Sequence, residues 1–169
     1  FYQEVGIPIL GSIESPGTIE GGDCFFIDAA TIAVGRGFRT NDSGIEQLRA
    51  LVSPLGIEVR TYDLPYHHGP EACLHLMSLI SPLAADLALV HAPLLPSQLH
   101  LDLIESGYEL LAAPTHEFDA SAGLNLNVLP IGPRECIAID GFPETLAVMR
   151  AAGCDVVTFD ADRLCLPCE

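Results

Sequence analysis

Residues 54–62 read PLGIEVRTY: a proline, a glycine, then a short run in which apolar and polar residues mix. Pro54 and Gly56 are a helix stop, and residues 57–62 suit a strand that leaves it. The same phrase, a helical segment, a glycine and a short strand, recurs as EVGIPIL at Gly6, ESGYELLAA at Gly107 and AAGCDVVTF at Gly153. Those glycines stand 50, 51 and 46 residues apart. A period of that length marks a repeated supersecondary unit.

Local signals fill in each unit. In the first, residues 24–27 and 31–34 predict two strands. SGIE at 43–46 has capping-box spacing, and Ile45, Leu48, Val52 and Leu55 recur at helical intervals before the closing strand at 57–62. The second unit predicts strands at 73–80, 87–91 and 108–112 with a helix over 97–105. The third predicts strands at 124–131, 136–139 and 155–159 with a helix from 143 toward 152. The order is strand, strand, helix, strand in units covering about 13–62, 63–113 and 114–160, preceded by the tail of another at 1–12. Such a unit cannot bury its helix face and sheet face alone, so the copies are expected to pack around a shared centre. The reading is one α/β domain over 1–169, incomplete at both ends.

Composition narrows the function. Acids outnumber bases 23 to 7, every base is Arg, and the formal net charge is −16. That field repels nucleic acid and anionic membranes and attracts small cations. The richest apolar stretch, 76–95, is interrupted by Pro82, Asp86 and Pro93, which argues against a membrane span. Six irregularly spaced cysteines read as thiols of a reducing compartment, so the cytoplasm is the expectation.

EGGD, Glu20–Asp23, precedes the first strand. Its glycines allow a sharp turn and close approach to a ligand, with Glu20 projecting toward a pocket and Asp23 bracing the turn; an acid–glycine turn before a strand is also ordinarily just a turn. In CLHLMSLI, 73–80, strand alternation puts His75 on one face with Met77. His75 lies 55 residues after Glu20, and a ring of units would bring both to one axis. GRGFRTN, 35–41, places Arg39 in the loop ahead of the first helix.

In this order EGGD, RTN at 39–41, LHL at 74–76 and Asn127-x-Leu129 resemble the guanidino-group-modifying superfamily: arginine deiminases, amidinotransferases and dimethylarginine dimethylaminohydrolases. The resemblance runs from Gly6 to Cys168. It implies a fivefold pseudo-symmetric α/β propeller, or pentein, of which this chain holds about three complete units. It makes Glu20 the carboxylate that grips a substrate guanidinium, His75 the general acid/base, Arg39 the partner of the substrate's α-carboxylate, and Asp23 a further substrate-binding residue. The family's nucleophilic Cys is expected beyond Glu169, because no glycine follows Gly153. Met77 stands where deiminases and amidinotransferases have Asp. A soft apolar side chain there suits a methylated guanidinium, which points to the dimethylarginine branch, releasing citrulline and an amine. Arginine deiminase or amidinotransferase is the alternative, and a non-catalytic propeller serving as a binding module is the alternative of another class. The expected partner is a small guanidino cation, with no cofactor and no metal; a homo-oligomer is compatible with all of this.

Other motifs carry less. CLPC at 165–168 has zinc or redox spacing without a second close cysteine pair, so incidental thiols are the simpler reading. YHHG at 66–69 reads as solvent-facing or lid residues. A zinc deaminase would need His-x-Glu and Pro-Cys-x-x-Cys, and both are missing.

Overall fold

The computed structural model describes residue 2 and residues 4–72 and 74–161. Cys73, Cys165 and Cys168, singled out above, lie outside the described residues. The chain forms two compact units, Phe1–His75 and Leu76–Glu169.

The first unit holds β1 (Cys24–Asp28), β2 (Thr31–Arg36), α1 (Asp42–Val52) and β3 (Glu58–Asp63). The second holds β4 (Ile80–Ala84), β5 (Leu87–Val90), α2 (Ser97–Glu105), β6 (Glu109–Ala112) and α3 (Thr115–Ser121). It continues with β7 (Val128–Gly132), β8 (Glu135–Ile139), α4 (Pro143–Ala151) and β9 (Asp155–Phe159). Three small mixed sheets result, ordered β1-β2-β3, β4-β5-β6 and β7-β8-β9.

All three sheets are wired alike. The first strand pairs antiparallel with the second across a two-residue link, and the second pairs parallel with the third across a helix. Antiparallel neighbours permit so short a link, whereas parallel neighbours need a crossover. The central strands are covered: Thr31–Gly35 of β2 and all of β5 are buried, in keeping with their continuous apolar runs. Each first strand is bulged just before its turn, at Phe26/Asp28, Pro82/Ala84 and Pro130/Gly132. Pro82 and Pro130 thus occupy equivalent edge positions, where a missing N–H costs little. Within the second unit β4 lies beside β7.

The repeated glycine has a conformational cause. Gly6, Gly56, Gly107 and Gly153 all adopt φ between 74° and 85°, a region that a Cβ disfavours by about 1 kcal/mol. The chain then reverses, and the residue two positions later bonds back to the hairpin link: Glu58 N–H to Ala30 O at 2.7 Å, Glu109 N–H to Asp86 O at 2.8 Å, and Asp155 N–H to Arg134 O at 2.8 Å.

Ile45 and Val52 of α1 pack on Ile32, Val34 and Val59, with Leu48, Leu51 and Ile57 around them. Several sequence expectations need correction. Leu55 falls in a 3-10 turn after α1 and is 60% exposed, so Leu51 covers the core instead. The cap of α1 is Asn41, whose side chain accepts from Gly44 N–H, and Ser43 lies inside the first turn. The strand predicted at 73–80 begins only at Ile80, after a 3-10 turn at Leu76–Ser78. Leu76, Leu79, Ile80 and Leu83 are all fully buried, so their spacing follows a turn rather than an alternating strand. The strand predicted from 124 likewise starts at Val128, behind a 3-10 turn at Leu124–Leu126. Helix α3 was not anticipated. No helix among the described residues is long and apolar enough to cross a membrane.

Helix α3 delivers a buried carboxylate to the start of α4. Glu117 is 7% exposed and accepts from Glu144 N–H at 3.0 Å, Thr145 N–H at 2.8 Å and the Thr145 hydroxyl at 2.6 Å. Burial alone would raise its pKa, but those bonds and the nearby His116 hold it below the usual carboxylate range. A depressed folded pKa stabilises the fold above the unfolded value and ceases to do so as pH falls through the folded one. Glu117→Gln should therefore lower stability at pH 7 by about 1–3 kcal/mol. The deficit relative to the natural chain should shrink as the solution is acidified below pH ~4, as read from urea unfolding across pH.

Candidate functional site

The segment leading into EGGD is strapped to α1. Glu14 N–H donates to Gln47 Oε1 at 2.8 Å, and Gln47 Nε2 donates to Glu14 O at 2.9 Å. Asn41 Oδ1 accepts from Thr18 N–H at 3.1 Å as well as from Gly44 N–H at 2.9 Å, while its Nδ2 donates to Pro16 O at 2.8 Å. The approach is so close that a Cβ at Gly44 would stand 2.2 Å from Thr18 O. Glycine in the first turn of α1 is thus a requirement of contact. The strap ends at Glu20, where a 3-10 turn at Gly21–Asp23 leads into β1.

At that point three of the side chains singled out in the sequence meet. Glu20 Oε2 lies 2.6 Å from His75 Nε2, and Glu20 Oε1 lies 2.8 Å from Arg39 Nε. The side chains are 36%, 18% and 41% exposed for Glu20, His75 and Arg39, so the cluster is open on one side. The Arg39 bond first, and the His75 bond second, hold the Glu20 carboxyl below its ordinary pKa. An ionised carboxylate only accepts, so the proton between Glu20 and His75 belongs to Nε2. The residues can grip a cation, hold an imidazole in one orientation and move a proton.

The structure brings Glu20 and His75 together as the sequence predicts, by a different local route, and adds Arg39, expected on a substrate carboxylate, as a direct partner of Glu20. His75 sits in an irregular segment next to the Leu76–Ser78 turn, so the shared strand face with Met77 does not exist. Met77 instead lines a cavity of about 500 Å³ in the second unit with Leu126, Val128, Ile139 and Phe159. Gly21 and Gly22 lie in a right-handed 3-10 turn, not in the left-handed region. Gly22 is needed for another reason: a Cβ there would stand 2.9 Å from His75 Cγ and 3.1 Å from Cδ2, so the imidazole ring lies against its bare backbone.

Asp23 is 1% exposed and turns inward, accepting from the Thr40 hydroxyl at 2.6 Å, away from the open side expected of a substrate ligand. Thr40 and Gly44 were not read from the sequence as site residues. RTN and the Asn41-x-x-Gly44 spacing are the signals that carried them.

The remaining motifs settle elsewhere. Tyr66 packs edge-to-face on Phe38, and the His67 and His68 rings lie 3.9 Å apart. Among the described residues no group of three or more His, Cys, Asp or Glu could hold a metal ion. The free thiols Cys24 and Cys136 are each pushed up to about 11, chiefly by burial, and burial also raises Cys154. All three are poor thiolates at neutral pH.

Residues 3–117 match the model of the arginine deiminase family. The chain therefore belongs to this family, one of the guanidino-modifying proteins that EGGD, RTN and LHL resemble. An N(G),N(G)-dimethylarginine dimethylaminohydrolase of Streptomyces coelicolor is 42% identical over 79 residues, 47% of this chain and 28% of that protein. Among solved structures, a dimethylarginine dimethylaminohydrolase of Pseudomonas aeruginosa, a mutant complexed with citrulline, aligns over 88% of this chain and 51% of its own at 22% identity, with a TM-score of 0.68. An inosamine-phosphate amidinotransferase of Streptomyces griseus aligns over 87% of this chain and 42% of its own at 16% identity, with a TM-score of 0.71. The chain thus spans about half the length of these solved relatives or less, and their likeness establishes the α/β fold.

Gly22→Ala should push the imidazole off Glu20 without unfolding α1. A crystal structure of the variant should show the Nε2–Oε2 contact opened beyond hydrogen-bond reach, and a ring still seated at 2.6 Å would contradict the role given to Gly22.

Proposed function

We propose that the chain is part of a cysteine-dependent hydrolase of guanidino compounds whose substrate is a methylated arginine. The observation that carries the reading is the Glu20–His75–Arg39 cluster, which falls inside the family-matched stretch. The 42% identity over 79 residues to a dimethylarginine hydrolase supports the choice of branch. The family match itself favours unmethylated arginine as the second reading.

In this reading the units 13–62, 63–113 and 114–160 are three blades of one fivefold propeller domain; the common wiring, bulge and return glycine of the three sheets support it. The protein works in the cytoplasm, where its thiols stay reduced. The nucleophile is a cysteine after Glu169; Cys24, Cys136 and Cys154, each raised in pKa chiefly by desolvation, are unsuited to the role.

The chemistry follows from the cluster. The resting Arg39–Glu20 pair is a guanidinium on a carboxylate, the same contact a substrate would make. An arginine-type substrate offers an exchange: its carboxylate takes Arg39, and its own guanidinium takes the vacated Oε1 of Glu20. Held positive, the guanidinium carbon is open to attack by a thiolate. A C–S bond forms, the C–N bond to the amine breaks, and protonated His75 gives the leaving amine its proton. The same imidazole then takes a proton from water, whose oxygen displaces the sulfur and leaves a ureido product. Glu20 keeps the ring oriented through both steps.

The test is a ureido colour assay on the longest natural protein that contains this segment, with dimethylarginine, arginine and agmatine. Turnover is expected on dimethylarginine first. His75→Ala should lower kcat by about 10²–10⁴. Arg39→Ala should raise KM for dimethylarginine while leaving weak turnover of agmatine, which lacks the carboxylate, unchanged. An active protein indifferent to His75→Ala would overturn the assignment, and one inactive on every guanidino compound would favour a binding module.

A further inference from the structure

We propose that Asp23 and Thr40 form a buried clamp that fixes the backbone of Glu20 and, through it, the imidazole of His75, making both of them positioning residues rather than substrate ligands. The proposal rests on the reading of Glu20 and His75 as the reacting pair, and it concerns what holds that pair in place.

The argument is one of donor bookkeeping. A threonine hydroxyl has a single proton. That proton goes to Asp23 Oδ2, 2.6 Å away, the short distance typical of a hydroxyl on a carboxylate. The oxygen's lone pair therefore faces the Glu20 N–H, 3.1 Å away. On the other side of the same residue, Asp23 N–H donates to Glu20 O at 3.0 Å. Both polar groups of the Glu20 peptide are thus held by these two residues. Thr40 is itself tied down, since its carbonyl accepts from Gly37 N–H at 3.1 Å.

Burial makes the clamp stiff where the working end is loose. Asp23 is 1% and Thr40 0% exposed, so their bonds do not exchange with water, whereas the Glu20 side chain is 36% exposed. A half-exposed carboxylate cannot define its own position by packing. Beyond its bonds to His75 and Arg39, its position comes from the peptide beneath it, and a buried carboxylate in EGGD together with the middle residue of RTN supplies that anchor.

The experiment reads the Glu20–His75 contact directly on the 169-residue chain and needs no turnover. In histidine-¹⁵N-labelled protein, the natural chain should show a His75 Nε2 proton protected from solvent exchange, and the Glu20 amide should exchange among the slowest of residues 14–23. Thr40→Val should speed exchange of the Nε2 proton at least about tenfold while the amide spectrum stays dispersed, and Thr40→Ser, which keeps the hydroxyl, should restore protection. If Thr40→Val alone does not fold, Asp23→Asn combined with Thr40→Val removes the buried charge together with the hydroxyl and should give the same loss. Wild-type exchange in either folded variant, loss of protection in Thr40→Ser, or a Glu20 amide that exchanges like an exposed one would each overturn the clamp. A clamp that behaves as described in a protein without activity on guanidino compounds would sink the proposed function and leave this inference standing.

Discussion

Everything at the site hangs on the flush contact between residues 14–20 and α1. That contact is possible because α1 carries no side chain at Gly44, where Thr18 O would otherwise meet a carbon at 2.2 Å. With the strap seated, Asn41 can serve the helix and the strap at once, and Gln47 can close a two-bond ring with the Glu14 peptide. Glu20 is the last residue of the strap, so the helix indirectly decides where the carboxylate stands. The site is built on regular structure, although none of its three partners lies in a helix or a strand.

The repeat was readable in the sequence because its cause is local. A glycine at positive φ ending a helix is a property of a few neighbouring residues, and 97–105 and 155–159 come out with the predicted bounds for the same reason. The misreadings fall where distant partners decide. Leucines at 76 and 79 suit a strand or a turn equally well, and their complete burial together with Ile80 settled the matter in favour of a turn. Ser43 and Glu46 had the spacing of a cap, but Asn41 won because it also satisfies Thr18 and Pro16 across the strap. Helix α3 is short and draws its buried pair, Glu117 and Phe118, into contacts with α4 and with the His91 ring, which stacks on Phe118 at 3.5 Å. No local pattern announces such partners. Glu20 and His75 were paired through the spacing of the repeat, and the structure adds the local reason, a turn whose bare Gly22 leaves room for the ring.

With 7 bases against 23 acids, the described arginines are used with economy. Arg36 forks onto both oxygens of Asp63 and reaches Asp42, tying the ends of β2 and β3 to the start of α1. Arg134, at φ 61° in the β7–β8 link, donates to Ala152 O and to Asp86 of the β4–β5 link, bracing one hairpin against another. A planar fork with fixed donor directions does this better than an ammonium would. Arg39 is the exception in kind: its partner is the carboxylate at the open site.

Arg39, Thr40 and Asn41 are consecutive, yet each faces a different client: the side chain of Glu20, the peptide of Glu20, and the strap with the first turn of α1. Three adjacent residues with three separate duties leave no slack in register. Adding or removing one residue between β2 and α1 would misplace all of them together. The connection between β2 and α1 therefore has a fixed length for as long as the site keeps this geometry.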